Sequence, residues 1–327
     1  MNKKLSLETI KSVIIGHAVG DALGVPAEFS KREDLKISPI TKMEGYGAYA
    51  VPKGSWSDDT SMAICALDAF GDDKLNFDKV MNNFAKWYYQ GEYTPTGKTF
   101  DVGKTCAIAI ERYSKTNVPW KECGLNGEFS NGNGSLMRIH PFALYTFALD
   151  TTVKTKIRII ELASSLTHAH PRSKIACGIY TLILWQILES ADKIGGVEAI
   201  KQGLRNAREI YRESKEFEQF YSKLCHQIVD IDNLSLPTLS ENEIKSDGYV
   251  VHSLEAAIWC LCTTNSYKDC VLKAVNLGSD TDTIAGIAGG LAGAIYGYES
   301  IPREWREDLL RREYIEDLCA KGFKKFI

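Results

Sequence analysis

The chain has 327 residues, 44% of them hydrophobic and 25% charged, with a formal net charge of −3 and a pI near 6.1. That is the make-up of an ordinary globular protein, long enough to bury one large core or two small ones. Lysine and arginine are scattered rather than gathered into a stripe, which excludes the basic footprint of a nucleic-acid surface. Nine cysteines form no Cys-x-x-Cys pair and no even framework, and they read as reduced core thiols of a cytoplasmic protein. The lysine-bearing, then apolar start is broken by Glu8, Thr9, Lys11, Ser12 and His17, so neither a signal peptide nor a membrane partner is expected.

In chain order, Ile10, Val13, Ile14 and Ala18 recur at helical spacing. Met62, Ala63, Ala66, Leu67 and Phe70 do so next, and then Ile159, Leu162, Ala163 and Leu166. The runs "IYTLILWQILES" and "HSLEAAIWCLCTT" are apolar nearly all round, which suits helices buried inside a large bundle. The stretch from Gly203 to Leu224 is rich in charge and reads as one solvated helix, followed by a variable insertion, "DIDNLSLPTLSENEIKSD". Alternating strand patterns are scarce, so the expected fold is all-α, a compact single-domain multi-helix bundle spanning residues 1–327. Its long functional loops are the glycine-rich "EGYGAYAVPKGSWSDD" and "GLNGEFSNGNGS".

Ser57 before an apolar run is a good helix cap, and Asp58 and Asp59 in the first turn complement the helix dipole. Near the other end, Ser279-Asp280-Thr281-Asp282-Thr283 repeats the pattern before "IAGIAGGLAGAIYG". Gathered carboxylates repel one another unless a cation lies between them, and hard divalent ions prefer carboxylate and hydroxyl oxygens. Four aspartates plus hydroxyls suffice for a two-metal site if the two starts converge. Gly286, Gly289, Gly290, Gly293 and Gly297 favour close approach of helices in the core, which would let them do so.

With these clusters the chain resembles the ADP-ribosylglycohydrolase family. The resemblance rests on "GHAVGDALGVPAEF", "GSWSDDTSM", "DVGKTC", "NGNGSLMRIHPFAL", "LTHAHPRS", "GYVVHSLEAAIWC" and "NLGSDTDTIAGIAGGLAGAIYG", which occur in the family's order across nearly the whole chain. It implies an all-α fold with a binuclear Mg2+ or Mn2+ centre at the bottom of a cleft. Ser57, Asp58 and Asp59 match one ligand block, and Asp280, Asp282 and Thr283 match the other. Glu28 matches an acidic residue beside the metals, and Asp101 a second acidic position, either of them the catalytic acid or base. Asn131, Gly132, Asn133, Gly134 and Ser135 offer successive backbone N–H groups as a nest for the diphosphate. His168 fits substrate contact better than a His168/His170 zinc pair. Tyr249 either stacks on the ligand or anchors the next helix, and Asp21 and Arg138 are buried partners or ligand contacts.

The resemblance implies cleavage of a glycosidic bond at the ribose anomeric carbon, where a carboxylate activates water and the leaving group gains a proton. The substrate it implies is an ADP-ribosylated protein or a small ADP-ribose adduct. Arginine-linked ADP-ribose leads over serine-linked or small-molecule adducts. A metal-dependent phosphoesterase and a non-catalytic ADP-ribose binder are the rival readings, and the intact clusters favour an active hydrolase.

Overall fold

In a computed structural model of the protein, residues 5–71, 75–116, 118–225 and 234–327 are described, and among them no strand forms. The β-like pairing is limited to isolated bridges from Leu125 to His168 and from Gly132 to Tyr249. The all-α expectation holds. The first helices are α1 (Leu7–Gly24), α2 (Arg32–Ile37), α3 (Asp58–Phe70), α4 (Phe77–Gln90), α5 (Lys104–Thr116) and α6 (Trp120–Cys123). There follow α7 (His140–Ala148), α8 (Val153–Ser165), α9 (Pro171–Ile194), α10 (Gly196–Tyr211) and α11 (Lys215–Cys225). The chain continues through α12 (Val250–Cys262), α13 (Tyr267–Val275), α14 (Thr281–Tyr296), α15 (Arg303–Asp308) and α16 (Arg312–Gly322).

The three periodic patterns near residues 10, 62 and 159 become α1, α3 and α8, and the runs that are apolar all round lie in the buried helices α9 and α12. The charge-rich segment departs from expectation. It is divided between α10 and α11, with a turn closed by Ser214 N–H donating to the Tyr211 carbonyl at 2.7 Å. Nor is it simply solvated: Leu204, Ala207, Phe217, Phe220 and Tyr221 are buried, because the apolar positions between the charges form a stripe facing the bundle. Of the insertion that follows, residues 230–233 lie outside the described residues; the rest forms 3₁₀ turns at Leu236–Thr238 and Glu241–Glu243.

The centre of the bundle is the antiparallel pair of α1 and α14. Both are buried along most of their length, α14 continuously from Thr281 to Gly293. Their register is fixed by small residues: Gly16 faces Gly289, Gly20 faces Ala285, and Gly24 faces Asp282. A Cβ on Gly16 would stand 2.6 Å from the Gly289 carbonyl oxygen, and one on Gly20 would overlap the Ala285 carbonyl. A Cβ on Gly24 would overlap the backbone of Asp282 itself, so the helix contact sets the position of that carboxylate. Gly297 belongs to a different class: it ends α14 at φ 83°, and a Cβ there would meet nothing within 4 Å. Gly20→Ala is therefore expected to force the helices apart and cost about 1–3 kcal/mol of stability, measured by urea unfolding. An unchanged midpoint would show that the backbones are not in contact there.

Cys65, Cys106, Cys123, Cys177, Cys260, Cys262, Cys270 and Cys319 are free, all of them buried except half-buried Cys262. Among the described residues no helix is long and apolar enough to cross a membrane.

Candidate active site

The Ser57 end of the site is built from a helix start. Ser57 caps α3 with extended backbone, its Oγ accepting from the Asp59 N–H at 3.3 Å, and Asp58 and Asp59 form the first turn. Two further donors at this end, the Ser57 and Thr60 N–H groups, are taken by Asp21, which α1 carries fully buried beneath it. The Asp21 carboxylate accepts from Ser57 N–H at 2.9 Å, Thr60 N–H at 3.0 Å and Thr60 Oγ1 at 2.6 Å. It thus acts as an N-cap supplied from another helix. Asp21 is a buried structural partner of the Ser57-Asp58-Asp59 segment and not part of the cleft lining.

The other end is the start of α14. Asp280 N–H donates to the Ser246 carbonyl at 3.0 Å, and Asn133 Nδ2 donates to Asp280 Oδ2 at 2.7 Å. Asp282 accepts its neighbour's backbone, Thr283 N–H to Oδ1 at 2.9 Å, and turns its second oxygen inward. The two starts meet: Thr283 Oγ1 donates to Asp59 Oδ2 at 3.2 Å across 224 positions of sequence. The convergence expected from the paired clusters is present.

Glu28 joins them from the turn after α1, so that one carboxylate oxygen from each of Glu28, Asp280 and Asp282 lies within 4.8 Å of the others. Three buried oxygens, Glu28 Oε2, Asp59 Oδ1 and Asp282 Oδ2, have no hydrogen-bond partner. Burial first, and then neighbouring carboxylates, push every member up. Glu28 is raised to about 9 by burial and by Asp101 and Asp280, while Asp58, Asp59 and Asp282 are raised well above the usual range. Unpaired buried oxygens of one charge type are what a hard cation satisfies, and the residues present therefore fit a divalent metal ion.

Glu28, Asp58, Asp59 and Asp280 line a cleft of about 330 Å³ together with Phe29, Asp101, Lys104, Cys106, His168 and Thr283, while Ser57 and Asp282 are buried outside its lining. Gly132, Asn133 and Gly134 form another part of its wall. That wall is rigid, because Asn133 N–H donates to the Gly248 carbonyl at 3.0 Å and Val250 N–H donates to the Asn131 carbonyl at 3.0 Å. His168 is held by Thr167 Oγ1 at 2.9 Å, and Thr167 is held in turn by Arg138 Nη2 at 2.7 Å. Burial, reinforced by the Arg138 charge, pushes His168 down to about 3, so it meets a ligand as a neutral ring.

Several residues singled out in the sequence stand elsewhere. Ser135 is fully buried and hydrogen-bonds Ser164 Oγ at 3.0 Å, facing the core rather than the cleft. Asn131 is buried, its side chain donating to the Glu128 carbonyl at 2.7 Å. Tyr249 precedes α12, its hydroxyl accepting from Gln219 at 3.2 Å and its ring edge-on to His252, and it anchors that helix. His170 caps α9 by accepting from Arg172 N–H at 3.2 Å. Arg138 lies against the Phe84 ring at 4.9 Å, away from the cleft.

Sequence reasoning left out Lys104, a cation on the cleft wall, and Tyr49, whose ring stands 5.0 Å from Phe100 and 6.3 Å from Phe29, the sequence neighbours of Asp101 and Glu28. Lys104 sits inside "DVGKTC" and was there to be read. Tyr49 carries no local signal, being one aromatic in a glycine-rich loop.

Comparison with known proteins agrees with this geometry. The family model described as ADP-ribosylglycohydrolase matches residues 2–326. The ADP-ribosylarginine hydrolase Tri1 of Serratia proteamaculans is 29% identical over 97% of this chain and 80% of its own. The ADP-ribosyl-[dinitrogen reductase] glycohydrolase of Rhodospirillum rubrum is 31% identical over 90% of this chain and 88% of its own. A solved structure titled ADP-ribosylglycohydrolase-related protein complex superposes with a TM-score of 0.78 at 25% identity, covering 98% of this chain and 99% of that one. A helical bundle that brings two aspartate-rich helix starts to one cleft, matched by that family model from end to end, belongs to the ADP-ribosylglycohydrolase family of glycosidic-bond hydrolases.

Proposed function

We propose that the chain releases ADP-ribose from arginine residues of ADP-ribosylated proteins, using two divalent cations, Mg2+ or Mn2+. Ser57, Asp58 and Asp59 would hold them from one side, and Asp280, Asp282 and Thr283 from the other. The observation that carries the reading is the meeting of the two helix starts at the Thr283 to Asp59 hydrogen bond, beside unpaired buried carboxylate oxygens. The arginine acceptor is supported by the names of relatives, among them a second Tri1 hydrolase, from Pseudomonas putida, 30% identical over 98% of this chain. The free and largely buried thiols fit a cytoplasmic site of action.

When bound, divalent cations supply the positive charge that orients ribose hydroxyls and acidifies water. The chain's own residues do the rest. Glu28 stands with Asp280 and Asp282 in the metal-holding cluster, which leaves half-buried Asp101 at the cleft wall to take the proton of the attacking water. The water oxygen bonds to the anomeric carbon, the bond from that carbon to the guanidinium nitrogen breaks, and its electron pair leaves with the nitrogen, which gains the proton that Asp101 took from the water. Gly132, Asn133, Gly134 and neutral His168 receive the ADP-ribose, with Lys104 facing its negative charge. Asn131, Ser135 and Tyr249 support that wall from behind.

The test is product analysis on arginine-linked and serine-linked ADP-ribosyl peptides, each with EDTA, with Mg2+ and with Mn2+. Intact ADP-ribose from the arginine-linked peptide, stopped by EDTA and restored by either ion, is the expected result. AMP would point to attack on the diphosphate, release from the serine-linked peptide alone would replace the acceptor, and no product from either would overturn the reading.

A further inference from the structure

Asp280 follows two residues in the left-handed region, Gly278 at φ 75° and Ser279 at φ 67°. For serine that conformation costs free energy, so contacts from outside the turn must hold it. The backbone supplies three of them: Phe29 N–H donates to the Ser279 carbonyl at 2.8 Å, Ser279 N–H to the Ser30 carbonyl at 2.9 Å, and Asp280 N–H to the Ser246 carbonyl at 3.0 Å. A Cβ on Gly278 would stand 2.8 Å from the backbone nitrogen of Arg32, so the turn lies directly on the start of α2.

The side chain of half-buried Arg32 spans the same junction. Its Nε donates to the Leu277 carbonyl at 2.7 Å, its Nη1 to the Glu241 carbonyl at 2.5 Å, and its Nη2 to the Ile244 carbonyl at 2.7 Å and to Ser246 Oγ at 3.1 Å. Ser246 Oγ donates in turn to the Leu277 carbonyl at 3.1 Å. All four acceptors of the guanidinium are uncharged oxygens, and a planar fork can hold several of them in fixed directions where an ammonium cannot. The fastened segment reaches the site at two points. The Ser246 carbonyl holds the Asp280 N–H, and the Gly248 carbonyl holds the N–H of Asn133, whose side chain donates to Asp280 Oδ2 at 2.7 Å.

We propose that Arg32 is a positioning residue for the divalent-cation site: by clamping the 241–246 segment to Leu277, it holds the Gly278-Ser279 turn and so aims the Asp280 carboxylate. Arg32 lies outside the cleft lining and acts through Ser246 and Asp280. The inference rests on the reading of Asp280 as a cation ligand.

Arg32→Lys keeps the charge and loses the fork. Titration of the metal-free protein with Mn2+, followed by the electron paramagnetic resonance of the free ion, is expected to show affinity about 10- to 100-fold weaker than in the parent, as when other supports of a ligand are lost. Ser246→Ala removes one acceptor and the bond from that hydroxyl to Leu277, and it should weaken Mn2+ binding in the same direction; it decides the matter if Arg32→Lys does not fold. Arg306→Lys is the control. The buried Arg306 guanidinium bonds both Glu299 carboxylate oxygens, at 3.2 and 2.9 Å, away from the cleft lining. Its loss should lower the thermal midpoint and leave Mn2+ affinity as in the parent, the split that a merely structural role for Arg32 would also give. Crystals of metal-free parent and Arg32→Lys supply a readout without the ion, and a displaced Asp280 that has lost its Asn133 partner is expected in the variant. Parent-like Mn2+ affinity in Arg32→Lys or Ser246→Ala, an equal loss in Arg306→Lys, or an unmoved Asp280 would each overturn the assignment. A parent chain that binds no Mn2+ would instead overturn the cation reading, and the metal-free crystals would still decide the positioning claim.

Discussion

Asp282→Asn is expected to lower kcat/KM by more than about 100-fold, beyond what the loss of a supporting partner costs, while making the metal-free protein more stable. The two effects share one cause. Asp282 is 1% exposed, one of its oxygens has no partner, and burial together with Glu28 and Asp59 pushes it well above the usual carboxylate range. Without a cation its charge is a burden, and each unit by which a carboxyl is pushed up corresponds to about 1.4 kcal/mol at a pH above the shifted value. An amide of the same shape carries no charge, can still accept from Thr283 N–H, and relieves that repulsion. The same amide cannot supply the negative oxygen that a hard cation requires. Steady-state kinetics and thermal unfolding in EDTA check the pair of effects. A variant that unfolds more easily and stays active would contradict both.

The second large effect is a pH-dependent stabilisation by divalent ions. Glu28, Asp58, Asp59, Asp280 and Asp282 all have folded-state values raised above those of the unfolded chain, by burial first. For such groups the native state holds more protons, so their contribution to stability is fully present below about pH 4 and falls as pH rises, for Glu28 until about 9. The metal-free site therefore grows more costly with rising pH, while cation binding strengthens because it needs the carboxylates deprotonated. Mg2+ or Mn2+ should raise the unfolding midpoint little at pH 5 and strongly at pH 8. Buried neutral His17, pushed down to about 3 by its burial, opposes this at low pH: its contribution is present above about 6.5 and lost as pH falls toward 3. It titrates with and without the ion, so the difference between the two curves isolates the carboxylates. A shift of equal size at both pH values would place the ion outside this cluster.

Much of this architecture is legible in the residues themselves. Periodicity marks α1, α3 and α8, and the glycines of α14 announce the close contact that Gly16 and Gly289 make. Both halves of the aspartate cluster are readable because each is a helix start, where capping chemistry and consecutive oxygens share one local pattern. What sequence does not carry is contact between distant segments. Asp21 caps a helix whose N-cap residue, Ser57, stands 36 positions later, and nothing periodic in α1 marks that role. Ser135 and Tyr249 belong to motifs that face the cleft, yet their own side chains bond to Ser164 and Gln219 behind it. The charge-rich α10 and α11 look solvated because charges dominate the composition while burial follows one stripe. Tyr49 shows the limit most plainly, since its partners lie on two other loops and no spacing rule joins them.

The central claim, that two distant aspartate clusters make one cation site at the floor of the cleft, is tested most directly by anomalous diffraction from a crystal soaked in Mn2+. Two peaks are predicted, bounded by Asp58 and Asp59 on one side and by Asp280 and Asp282 on the other, both absent from an Asp282→Asn crystal. No peak in the cleft, or Mn2+ bound only to exposed carboxylates elsewhere, would contradict it.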